Sequence, residues 1–118
     1  MLDLLSKRPY ILCVLSYMTK ILHLTLKKPQ FQVTISREKR HEFRRPSDWI
    51  KSRLVNKSYD FIKFTNGYGS DKPFFICEFL AWSYAKPQIH KYTNDLVVNV
   101  TDGYYQIYLG EILEIGNI

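Results

Sequence analysis

Between Lys20 and Leu26 the chain alternates, with Leu22, Leu24 and Leu26 on one face and Ile21, His23 and Thr25 on the other. That period of two predicts a half-buried strand, with His23 on the second face as a structural residue. Pro29 suits a first helical position, and Phe31 and Ile35 form an i, i+4 apolar pair, so residues 29–36 predict a short helix. Residues 38–44 predict a strand, with Glu42 and Arg44 to one side and His41 and Phe43 to the other. Pro46 stops it, and Ser47 is placed to cap a helix running to about Leu54, with Trp49 expected as its buried anchor. Tyr59 to Phe64 and Phe74 to Trp82 are aromatic and β-branched, hence strands, and the connection between them holds the turn signal Asn66-Gly67.

After Trp82 the pattern loosens through Lys86-Pro87 to Asn94. Val97–Val100 and Tyr104–Leu109 then predict a hairpin across Thr101-Asp102-Gly103, burying Tyr105, Ile107 and Leu109. About six short strands, two small flanking helices and no long parallel crossover indicate an α+β chain, a compact mixed β-barrel. No repeat, linker or second domain interrupts it. Residues 1–17 stand apart. Tyr10 to Met18 is apolar and follows Lys7-Arg8-Pro9, the outline of a signal peptide, yet no small-x-small cleavage site follows. The run is too short to span a bilayer as a helix, which takes roughly 20 apolar residues. Residues 1–17 are therefore expected to be an extension that need not belong to the fold, and residues 18–118 the domain.

Composition adds a partner class. At 118 residues with 46% hydrophobic positions, the chain can bury a core, which excludes global disorder. Its net charge is +6, and the segment Arg37–Lys57, with eight Lys/Arg against three acids, carries +5 of it. Concentrated positive charge favours an anionic partner, although a solvated surface produces the same count. Cys13 and Cys77 match neither a disulfide framework nor a metal-ligand spacing, and Cys77 lies in an apolar run as a reduced core residue would. A cytoplasmic location is expected, with no membrane association. His23, His41 and His90 are scattered, so no metal is expected and no cofactor either.

The chemistry concentrates in Arg37-Glu38-Lys39-Arg40-His41-Glu42-Phe43-Arg44 and in Phe64-Thr65-Asn66-Gly67-Tyr68-Gly69. Lys39 and Glu42 are three apart, which in a regular strand sets them on opposite faces. They converge only if Lys39 lies on the turn before the strand or a bulge intervenes. Converged, they open three readings. Glu42 could activate a water while a desolvated Lys39 sheds proton affinity, making both catalytic. Alternatively Lys39, Glu42 and Arg44 form an ion-paired binding surface, Arg44 offering its planar fork to a phosphate or carbonyl. The plainest reading is a surface salt bridge worth roughly 0–1 kcal/mol. In the second motif two glycines expose backbone N–H groups and Tyr68 could stack on a base, making Thr65, Asn66, Gly67 and Tyr68 ligand candidates, although Asn-Gly also serves a plain hairpin. Tyr84, Tyr92, Tyr104 and Tyr108 are further stacking candidates.

These motifs carry a resemblance. From Met18 to the C-terminus the chain resembles an ASCH domain, the activating-signal-cointegrator homology branch of the PUA-like barrels. The resemblance rests on Lys20-Ile-Leu-His-Leu-Thr-Leu-Lys-Lys28, on Ser36 to Arg44, on Phe64 to Gly69, and on Tyr108-Leu-Gly110-Glu-Ile-Leu113. It implies a PUA-like barrel with a cleft that binds RNA or a nucleotide. One branch is similar to an amidohydrolase acting on N4-acetylcytidine, and other members are reported as ribonucleases. By position Lys39 takes the motif lysine, Glu42 the Thr/Glu position and Arg44 the motif arginine. Arg37 stands where the motif glycine is usual, so the helix-to-strand turn forms without glycine's freedom. Glu42 replaces the threonine that the amidohydrolase branch uses as its reactive hydroxyl, and that branch's acidic partner has no counterpart in the short 83–95 region. The expectation is an RNA- or nucleotide-binding module using Lys39, Arg44 and residues 65–68. The alternatives are a small hydrolase of a modified nucleoside or RNA phosphodiester working through Lys39 and Glu42, and a protein-interaction domain presenting its tyrosines.

Overall fold

A computed structural model describes residues 20–118; the expectations for residues 1–17, Cys13 and the start of the domain at Met18 lie outside them. The chain order is β1 (Ile21–Leu26), α1 (Lys28–Ile35), β2 (His41–Arg44), α2 (Asp48–Leu54), β3 (Phe61–Asn66), β4 (Phe74–Tyr84), β5 (Gln88–Lys91), β6 (Val97–Val100) and β7 (Tyr105–Gly116). Five strands form one sheet in the order β1-β3-β4-β7-β2, and β5 and β6 form a second, two-stranded sheet. The architecture is α+β, with the large sheet curled into a half-barrel. Its curl has a local cause: three register shifts between β4 and β7, from Ile76 to Ala81, bend the pair. At the bend Gly110 faces Glu78 and Leu80 so closely that an added Cβ would lie 2.8 Å from the Glu78 Cβ.

The concave face is the core. Leu22, Leu24 and Leu26 of β1 meet Ile62 and Phe64 of β3, Phe75 and Cys77 of β4, and Tyr105 and Ile107 of β7. Phe31 of α1 and Ile50 and Leu54 of α2 cover them. The alternation predicted for β1 holds; in β7 Tyr105 and Ile107 are buried as predicted, whereas Leu109 is only half-buried. The Cys77 thiol, pushed up to about 12 by burial, is no nucleophile. The Ser47 hydroxyl caps α2 by accepting from the Ile50 N–H at 3.2 Å.

Four expectations are corrected. Trp49 is not the anchor of α2 but 49% exposed; Ile50 and Leu54, one helical turn apart, take the buried stripe, which leaves Trp49 roughly 100° round the helix. β1 and β3 pair in parallel, so the chain between them is a crossover containing α1, β2 and α2. The Thr101–Gly103 turn exists, with Gly103 at φ 85°, but joins strands of different sheets: β6 pairs with β5, and β7 with β4 and β2. A turn signal marks a reversal of the chain without naming the strands that it joins. Residues 86–94 contain β5, whose alternately half-buried and exposed Gln88, Ile89, His90 and Lys91 lack the apolar stripe that betrays a strand.

Candidate functional site

The site starts at the end of α1. Arg37, in the place that the motif gives to glycine, adopts φ 73° and donates its N–H to Thr34 O at 3.1 Å. A left-handed residue here ends the helix as a glycine would, at a cost of about 1–2 kcal/mol for a side chain with Cβ. The Arg37 guanidinium in turn donates to the Gly110 carbonyl and lies 3.8 Å from the Glu111 carboxylate. The next link is Lys39 N–H, bonded to Val33 O at 2.8 Å, which keeps Lys39 on the turn before β2 begins at His41. Because Lys39 precedes the strand, its side chain folds back to Glu42, and Nζ reaches Oε1 at 2.6 Å.

Glu42 holds a second cation. Arg44 Nε donates to Glu42 Oε2 at 2.7 Å, and Arg44 Nη2 to the Thr25 carbonyl at 2.8 Å. Both carboxylate oxygens are occupied, and Lys39 and Glu42 are only 2% and 3% exposed. Burial pushes the Glu42 carboxyl up, but the charges of Lys39 and Arg44 and their hydrogen bonds outweigh it and hold the pKa below its ordinary value. Arg44 also bridges the sheet's two edge strands, β1 and β2, which share no ladder. Lys39, Glu42 and Arg44 therefore meet as one ion-paired group, and Lys39 and Glu42 are interior rather than a surface pair.

Beside it opens a cleft of about 480 Å³. Glu42, Phe43 and Arg44 form one wall, and Asn66, Gly67 and Tyr68 the facing lip. Gly67 at φ 93° and Gly69 at φ 125° turn the loop outward, and Tyr68 stands 84% exposed. Of the residues singled out from sequence, Glu42, Arg44, Asn66, Gly67 and Tyr68 line the cleft, whereas Lys39 and Thr65 do not. Lys39 sits behind Glu42 against a void of about 10 Å³. Thr65 is held in the ladder opposite Thr25 and Phe74, and its carbonyl accepts from the Gly67 N–H at 3.0 Å.

Sequence reasoning missed Lys27 and Gln30, contributed by the β1–α1 junction. Gln30 is the more informative: it lines the cleft, and its Oε1 is buried and bonded to nothing among the described residues. An unpartnered buried acceptor costs about 1–3 kcal/mol, which a ligand N–H would relieve. No pattern in the sequence marks it, since the crossover alone brings α1 to the cleft. The four tyrosine candidates separate: Tyr84 is 61% exposed and packs on Trp82 and Tyr105, whereas Tyr92, Tyr104 and Tyr108 are half-buried.

No family model, no curated protein and no solved structure matches this chain. The functional reading therefore stands on the residues alone. Among the described residues, no three His, Cys, Asp or Glu side chains gather as a metal site, and no helix is long and apolar enough to cross a membrane. The geometry favours holding a ligand over moving a proton. Glu42, doubly ion-paired and held ionised, is a weak base, and Lys39 is sealed away from the cleft by Glu42 itself.

Proposed function

We propose that the cleft binds a nucleotide unit, free or within RNA, as an ASCH-type, PUA-like module would. The observation that carries this is Arg44. Its guanidinium is fixed by Glu42 and Thr25 at the cleft wall, so a donor fork is pre-oriented towards any ligand that enters. Two further features support it. Tyr68 offers an exposed ring on the opposite lip for a base to stack on, and Gln30 offers an acceptor for a base-edge N–H. Lys27 adds positive charge at the rim for a phosphate. The hydrolase alternative draws less support, because Lys39 and Glu42 are committed to each other.

The test is binding of a fluorescein-labelled octauridylate and of uridine 5′-monophosphate, followed by anisotropy and calorimetry. Octamer affinity should fall several-fold between about 50 and 200 mM salt. Tyr68→Ala should weaken both ligands by about 10-fold, and Arg44→Ala should weaken both at least as much. Absence of binding at the lowest salt, or affinities indifferent to both variants, would reject the proposal.

A further inference from the structure

Resting on the cleft reading, the geometry points to a second contact for RNA: an exposed platform of Trp49 and Arg53 on α2, over which a strand entering the cleft continues. The observation is the exposed indole. Trp49 is 49% accessible, although α2 buries Ile50 and Leu54 beside it. The Arg53 guanidinium lies 4.8 Å from the indole ring centre. That pairing presents a large flat aromatic with a cation fixed against it, the two groups on which unpaired bases stack. A local helix staple would serve with a smaller residue, whereas tryptophan and arginine are among the residues most enriched where partners bind.

Charge selects the covering partner. Arg53 lies against the indole, and Arg45, Lys51 and Lys57 are also exposed on α2 or within a few residues of it in the chain, with Asp48 as the acid among them. The surface therefore suits a polyanion that also carries flat rings, which describes single-stranded RNA better than an acidic peptide. Position ties the platform to the cleft. Trp49 is five residues beyond Arg44, so their Cα atoms lie within about 18 Å, a span that a few nucleotides cover. The ligand class is accordingly a strand of several nucleotides, with one unit in the cleft and a neighbour on Trp49.

The experiment compares uridine 5′-monophosphate with octauridylate on the whole protein. The octamer should bind the more tightly. Trp49→Ala and Arg53→Ala should each lower octamer affinity by about 10-fold and leave monophosphate affinity unchanged, while Trp49→Phe should restore most of the octamer affinity. In a Trp82→Phe protein, where Trp49 is the remaining indole, the octamer should quench the fluorescence and the monophosphate should not. Monophosphate binding that depends on Arg44, with octamer affinity unmoved by Trp49→Ala, would overturn this inference and leave the cleft reading standing. Poly-L-glutamate competing as well as the octamer would also overturn it, by marking a generic acidic-peptide surface. If wild-type protein binds neither uridylate, the cleft reading itself fails and the platform falls with it.

Discussion

At the scale of single residues, Glu42 governs the site. It accepts from Lys39 and Arg44 in a place where an unpaired charge has no water to turn to. Breaking such a buried pair by removing one partner typically costs about 3–5 kcal/mol, whereas replacing the pair by apolar residues is far milder. Lys39→Met should therefore destabilise the fold strongly in urea titration, and Lys39→Met with Glu42→Leu should recover part of the loss. An additive double variant would show that the pair is not coupled. Acid acts on the same residues. The folded state holds the Glu42 pKa below its ordinary 4.5, so its stabilisation is complete above that pH and is lost as pH falls towards the folded value. Burial first, then the charges of His90 and Lys39, lower His41 from 6.5, so acid also withdraws stability below 6.5 as the unfolded chain's histidine takes up its proton first. Unfolding midpoints should fall in two stages on acidification. His23, lowered in the same way by burial and then by Lys63, contributes to the upper stage too. His23→Gln with His41→Gln should therefore flatten that stage and Glu42→Gln the lower; profiles that ignore these variants would contradict the assignment. The triad was legible in sequence as a spacing, Lys39 to Glu42 to Arg44, but its burial was not, because burial depends on what β1 and α1 place over it.

At the scale of elements, α2 separates pattern from packing. Its start at Ser47 followed from capping chemistry, while the choice between Trp49 and Ile50 as anchor turned on a single step of helical rotation. Leu54→Ala, at a fully buried position, should cost about 2–5 kcal/mol in thermal or urea unfolding. Trp49→Ala should change stability by less than about 1 kcal/mol, the reverse of what an anchor would show. The β4–β7 bend makes another demand. Gly110→Ala pushes a methyl against the Glu78 Cβ, which backbone holds in place, so the variant should unfold at lower denaturant, and amide exchange should quicken first around residues 76–81. β5 escaped the sequence pattern for the opposite reason, since a strand in a small half-exposed sheet needs no apolar face to announce it.

At the scale of the whole molecule, the decisive feature is the open seam between β1 and β2. The curled sheet brings these edges together without pairing them, and the Arg44 guanidinium spans the gap to Thr25. A cleft results where a closed barrel would have none, and the same guanidinium is both its stitch and its proposed ligand donor. Arg44→Lys keeps the charge but loses the fork, so hydrogen exchange at Thr25, Leu26 and Phe43 should quicken even where overall stability changes little. Exchange rates that stay equal to wild type would deny Arg44 its role in the seam. By itself the sequence determined the alternation that buries Leu22, Leu24, Leu26, Tyr105 and Ile107, the cap at Ser47, the turns at Gly67 and Gly103, and the polar triad, because each is set by neighbours within a few residues. Only the tertiary structure decided that β1 pairs with β3 in parallel, that β7 joins β4 and β2 rather than β6, that Lys39 lies behind Glu42 and that Gln30 faces the cleft. Those outcomes depend on which distant faces exclude water together, a competition among whole elements that no local run of residues encodes.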